Sequence, residues 1–242
     1  MSTEERMTTA AETARSTRTP LNRDRILAAA IALADRDGID ALTMRNLGSE
    51  LDVEAMSLYN HIANKDDLLN GVVDSLVAEM VARVAELDPV EEPEDWQRAM
   101  REQIEIARTV MLEHPWAPGV LESRTEMSPT LIGYFDHLLG IMRSGGFSYD
   151  LAHHCMHALG SRALGFTQEL FVPDDDADDD PDEEAMAQML AAFPNITGML
   201  AEIMHDPAED SLGWCDDQTE FYFGLDLILD GMDRKRIAEQ GS

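Results

Sequence analysis

The sequence predicts an all-α protein, and three observations carry that expectation. Apolar residues recur at three- and four-residue spacing in one segment after another, the period of an amphipathic helix. No run of four or more residues alternates apolar and polar as a half-buried strand would. The segments are separated by helix punctuation at Gly38, Asp88 to Pro93, His114 to Gly119 and Gly145-Gly146. No internal repeat is present.

Residues 1–20 are rich in Thr, Ser and Arg with no apolar period, and they read as a mobile arm. Ile26, Leu27, Ala30, Ile31, Leu33 and Ala34 then form an apolar stripe over 21–37, ended by Gly38 as a C′ residue. The stretch Thr43 to Lys65, TMRNLGSELDVEAMSLYNHIANK, organises the rest. Thr43 has the side-chain oxygen of an N-cap, and Leu47 and Leu51 share one helix face. Asp52 sits where the chain must reverse and tolerates the left-handed backbone such a turn needs. A second helix from Glu54 to His61 buries Leu58 and Ile62. It leaves Ala55, Met56, Ser57, Tyr59 and Asn60 outward. This is the arrangement of a helix-turn-helix whose second helix enters the DNA major groove.

Asp66 to Leu87 is a long linking helix with Leu68, Leu69, Val72, Val73, Leu76, Val77, Met80, Val81 and Val84 on its apolar side. Further helices are expected over Glu94–Glu113, Ser128–Ser144, Ser148–Phe171, Ala185–His205 and Gln218–Arg236, the fourth awkward at Phe193-Pro194. Pro173 to Glu184 reads as a solvated acidic loop without the glycine and spacing of a calcium loop. The last helix is apolar nearly all round, so it must be covered on both sides. Phe221, Leu225, Ile228 and Met232 can face the chain's own core. Phe223 and Leu227, with Gly224 and Gly231 permitting close approach, can face a second subunit. Gly160 and Gly165 give the helix 148–171 similar small spots.

The chain has 242 residues and a formal net charge of −30. Residues 1–65 carry a net of only −2, against −28 over 66–242. The nearly neutral end gathers Arg15, Arg18, Arg23 and Arg25 before and within its first helix, where they can meet phosphate. The acidic remainder would repel DNA and help confine contact to one end, and such acidity with only two lysines equally fits a salt-rich cytoplasm. No apolar run of membrane-spanning length exists, and the N-terminus lacks the apolar core of a secretory signal. The two cysteines, Cys155 and Cys215, are expected to be reduced thiols in a cytoplasmic protein.

The motif residues also carry a resemblance. Gly38-Ile39-Asp40-Ala41-Leu42-Thr43, Arg45, and Leu58-Tyr59-Asn60-His61 followed by Lys65 and Leu68-Leu69 resemble the N-terminal domain of the TetR family of bacterial transcriptional repressors. Gly145-Gly146-Phe147-Ser148 and the run Phe221 to Gly231 are similar to the tetracycline-repressor type of C-terminal domain. The resemblance implies a three-helix helix-turn-helix DNA-binding domain over 21–67 and a helical ligand-binding and dimerisation domain over 68–236. It also implies a homodimer on operator DNA, released by a small-molecule effector. Carried over by position, Arg45 reads a base edge, while Thr43, Tyr59, His61 and Lys65 contact phosphates. Ala55, Met56 and Ser57 front the recognition helix beside Asn60, and their apolar character favours contact with a thymine methyl.

Bulky, adaptable residues are the candidates for an effector pocket: Trp96, Met100, Met111, Phe135, Met142, Met156, Phe166 and Met189, with His114 and Trp116 at the mouth. His153 and His157, four apart, border it. Two histidines do not make a metal site, so neither metal nor cofactor is expected. The segment Gly119 to Arg124 lacks the histidine that holds the drug–magnesium chelate in the tetracycline-repressor type, so the effector is not expected to be tetracycline. No nucleophile–base pair or phosphate-cradling loop is present, and no enzyme is expected. The alternative is a small-molecule-binding or enzymatic helical bundle with an incidental helix-turn-helix.

Overall fold

The structure is a computed structural model that describes residues 20–87, 92–124, 127–163, 191–195, 197–198 and 217–241. The expected arm apart from Pro20, the acidic loop 173–184 and most of the expected helix 185–205 lie outside them. So do Phe166, Met189, Gly165 and Cys215. Every regular element among the described residues is helical. The chain divides by its internal contacts after Gly146.

In the first unit, α1 (Arg23–Asp37) starts on Asn22, whose side chain accepts the Arg25 N–H at 2.8 Å. It stops at Gly38, whose φ of +81° costs glycine little and strains any other residue, and whose N–H returns to the Ala34 carbonyl. A 3-10 turn, Ile39–Ala41, leads to α2 (Met44–Glu50), capped by Thr43, whose hydroxyl oxygen accepts the Asn46 N–H at 3.1 Å. Asp52 turns the chain with φ of +54°, as expected for an Asp at that reversal. The next helix, α3, covers only Ala55–Leu58 and continues as turns through His61, shorter than the expected 54–61. Leu42, Leu47, Leu58 and Ile62 are wholly enclosed.

Gly48 makes this corner possible. A Cβ there would lie 2.9 Å from the Val53 carbonyl oxygen and 3.2 Å from the Ala55 nitrogen. Both are backbone atoms that cannot swing away. Gly48→Ala is therefore expected to cost about 1–3 kcal/mol, the usual penalty for overpacking a fitted contact. Thermal unfolding checks it, and an unchanged midpoint would show that the corner relaxes freely.

Asn64 caps α4 (Lys65–Val84) by accepting the Asp67 N–H at 2.8 Å, with Asp66 and Asp67 placed favourably in the first turn. A 3-10 turn (Pro93–Asp95) opens α5 (Trp96–Glu113). The expected break His114–Gly119 holds instead a short helix, α6 (Ala117–Glu122), because Pro118 occupies the first turn, where its missing N–H has no intrahelical role. α7 (Pro129–Ser144) is capped by Ser128 and ends at Gly145, packed directly on the Trp96 ring.

The core of the first three helices does not close at residue 67. Val120 and Leu131 belong to the same buried cluster as Ile26, Leu42 and Leu68, with Trp116, Tyr134 and Phe135 packed against it. The linking helix α4 thus runs through one continuous core shared by α1, α5 and α7.

In the second unit, α8 (Tyr149–Ala163) packs against α9 (Asp217–Gln240). Leu151, Ala152, Cys155 and Leu159 are buried on α8, and Phe221, Leu225, Leu229 and Met232 on α9. Leu229 takes the place expected for Ile228, which is half-buried. An i, i+4, i+8 row from Phe221 meets Leu225 and Leu229, and Ile228 falls one residue off its axis.

Candidate nucleic-acid interface

The residues expected to meet DNA are brought to one surface by the short α2–α3 corner and the start of α4. Thr43, Arg45, Tyr59, Asn60, His61 and Lys65 are exposed, while Ala55 and Ser57 are half-buried. Met56 is the most open of the large apolar side chains among the described residues, at 74%. The legs beneath it, Leu47, Leu58 and Ile62, are sealed in the core, so the outward face is fixed rather than floppy. Arg45 and Lys65 make no ion pair among the described residues. Arg36, by contrast, is spent on Asp37 and Glu50 at 3.0 and 2.9 Å.

Arg23 corrects the expectation of a basic cluster facing phosphate. Its guanidinium reaches across to α4 and grips Asp67 with contacts of 2.7 and 3.1 Å. It also donates to the His61 carbonyl at 3.2 Å, while Asp67 accepts the Ala63 N–H at 2.8 Å. This clamp ties α1, the end of the recognition segment and the start of α4 into one body. Gly71 lets the helices meet, since a Cβ there would lie 2.8 Å from Leu27 and 2.9 Å from Arg23.

The Arg23 hydrogen bonds hold the Asp67 carboxyl below the usual carboxylate range. A depressed carboxyl contributes stability above its unfolded value of about 4 and loses it as pH falls through the lower folded value. Arg23→Met is expected to lower stability at neutral pH and to flatten the acid side of the profile. Circular dichroism against pH checks this, and an unaltered acid slope would show that the pair contributes nothing.

Five of the described effector candidates lie on α5 and α7 and the others lie elsewhere. Trp96, Met100, Met111 and Met142 are buried, Phe135 is half-buried against the core of the DNA-binding helices, and Met156 is half-buried on α8. His153 and His157 lie exposed on α8 with ring centroids 4.7 Å apart, and no cluster of three metal-ligating side chains exists among the described residues. His114 and Trp116 turn away toward α1. Sequence reading missed Gln103 on α5. It is 4% exposed, its Nε2 lies 3.3 Å from His137 on α7, and its Oε1 has no partner. A lone amide in an otherwise apolar stripe was the available signal. Desolvation of Tyr134, partly buried against the core, pushes its phenol up to about 12.

On the second unit, Phe223 and Leu227 stand 62% and 55% exposed. Beside them runs an open groove of about 490 Å³ lined by Leu151, His154, Ala158, Leu227, Gly231 and Met232 among others. A side chain added at Gly160 would meet nothing within 4 Å. Burial raises the Cys155 thiol in this groove to about 11, which keeps it protonated.

The comparisons with known proteins accord with this geometry. Residues 26–72 match the family of bacterial regulatory proteins described as the tetR family, and residues 88–236 match the tetracyclin repressor-like C-terminal domain. An HTH-type transcriptional regulator of Saccharopolyspora erythraea is 32% identical over 127 residues, covering 52% of this chain and 51% of that protein. The chain thus aligns with about half the length of that relative. The repressor DrrR1 of Streptomyces coeruleorubidus is 26% identical over 88% of this chain and 77% of its own. Among solved structures, apo ActR of Streptomyces coelicolor superposes with a TM-score of 0.68 at 24% identity, covering 92% of this chain and all of that one. ActR has also been solved in complex with actinorhodin. Helix-turn-helix corner, continuous helical core and the match over 88–236 all say the same: the chain belongs to the tetR family of bacterial regulatory proteins, with a tetracyclin repressor-like C-terminal domain.

Proposed function

We propose that the chain is a homodimeric repressor that occupies a pseudo-palindromic operator and leaves it when a small apolar or amphipathic molecule binds. The observation that carries this reading is the exposed set Thr43, Arg45, Met56, Tyr59, Asn60, His61 and Lys65 on a rigidly seated corner. Arg45 reads a base edge, and Met56 with Ala55 meets a thymine methyl, flanked by Ser57 and Asn60. Thr43, Tyr59, His61 and Lys65 hold phosphates and set register. The protein works in the cytoplasm, where its operator lies, and no helix among the described residues is long and apolar enough to cross a membrane. Catalysis has no part in this reading.

The second copy sits on the α8–α9 groove, where Phe223 and Leu227 are exposed and Gly160, Gly224 and Gly231 permit close helix packing. The effector lies between α5 and α7, where Trp96, Met100, Met111 and Met142 offer apolar surface and Gln103 offers an unpartnered amide oxygen. A buried acceptor without a donor is costly, so a ligand donating one hydrogen bond there would gain affinity and orientation. ActR, of similar fold, has been solved with the small molecule actinorhodin bound, which supports a small-molecule effector here. The test is a gel shift with DNA flanking the chain's own gene, followed by a compound screen scored by release. Specific binding and release by an aromatic compound, weakened by Gln103→Leu, is the expected result. Release that is unchanged in Gln103→Leu places the effector elsewhere.

A further inference from the structure

We propose that Asp35 is a positioning residue that ties the DNA-binding helices to the hinge at His114–Trp116, so that movement of the hinge reaches the recognition segment through α1. This rests on the repressor reading above. Asp35 lies in the last turn of α1, at the negative end of the helix dipole, where a carboxylate is unfavourable unless something holds it. Two donors hold it. The Trp116 indole N–H donates to Asp35 Oδ1 at 2.7 Å, and His114 Nδ1 lies 2.7 Å from the same oxygen.

Both donors come from the link between α5 and α6. His114 ends α5, and Trp116 precedes α6. Their rings stand 5.8 Å apart and tilted, in reach of the same carboxylate. The far side of His114 faces α4, with Nε2 at 4.0 Å from Glu79. Glu79 pairs with Arg83, and Arg83 pairs with Glu113 at the end of α5. One polar network therefore joins α1, the hinge, α4 and α5.

The opposite end of α1 is the Arg23 clamp on Asp67 and the His61 carbonyl. A helix of 15 residues is about 22 Å long and stiff. Pinned at both ends, it acts as a second arm beside α4, and a shift at the hinge must displace its other end. Coupling of this kind needs contiguous groups with two arrangements, and the shared carboxylate supplies the contact that can open or close.

The test uses the full chain with DNA flanking its own gene and a scrambled duplex of the same length. Asp35→Ala is expected to weaken specific binding about tenfold, leaving scrambled binding and the thermal midpoint nearly unchanged. Trp116→Phe, which keeps the packing and removes one donor, is expected to weaken it about threefold. Because the residues act as a unit, the double variant is expected to be no worse than Asp35→Ala alone. Asp35→Asn keeps an acceptor for the indole and is expected to recover most of the loss. Amide exchange without DNA is the second readout: in Asp35→Ala, residues 36–43 and 114–123 should both exchange faster. Additive losses in the double variant, or exchange that rises at one segment alone, would overturn the proposal. If the wild-type chain binds both duplexes alike, the repressor reading fails, and the exchange result still decides the contact.

Discussion

A chain carrying Leu227→Asp is expected to run as a monomer and to lose its specific DNA binding. Leu227 is more than half exposed in the single chain and lines the α8–α9 groove, so the substitution has no core to disturb before association. In the dimer it would place an unpaired carboxylate against apolar helix faces, a penalty of several kcal/mol per site, applied twice by symmetry. Monomeric protein can offer only one recognition corner, and the affinity gained by joining two half-sites disappears. Light scattering and a gel shift on the same sample check both parts. A stable dimer would move the interface away from α9.

Arg45→Ala is expected to cost about 1–3 kcal/mol in specific binding and to relax the preference at one base pair per half-site. Arg45 is exposed on α2 two residues after the capping Thr43, and its carbonyl, not its guanidinium, is engaged by the Ser49 hydroxyl. The head group is therefore free to fork onto a base. Lys65→Ala should differ in kind, weakening all sequences alike and lowering the salt slope by about one. Titrations against specific and random duplexes at several salt concentrations separate the two. Equal loss on both duplexes for Arg45→Ala would assign that residue to phosphate.

The DNA-binding corner was legible in the sequence because its determinants are local. Thr43 caps the helix three residues before the amide it serves, Gly38 ends α1 at its own position, and Leu47, Leu58 and Ile62 are set by helical period. Residues joined over long range were not legible. Asp35 lies 79 and 81 residues from its donors, and Arg23 lies 44 from Asp67. Nothing in the spacing of charges distinguishes such a clamp from a phosphate-facing arginine. Gly48 and Gly71 look like weak points in helices until the crossing chain is seen a few ångströms away. Nor does the sequence reveal that Val120 and Leu131 share a buried cluster with Ile26. Apolar stripes reveal which face is buried and not what buries it. The effector residues are the hardest to read, since a Met on an apolar face looks the same as core packing or as pocket lining.

Footprinting of the full chain on the DNA flanking its own gene tests the repressor reading most directly. Two protected major-groove patches are expected, centred about one helical turn or 34–36 Å apart and related by an inverted repeat. Both patches should disappear with Leu227→Asp and blur with Arg45→Ala. A single patch, or protection that follows no sequence and fades uniformly with salt, would contradict it.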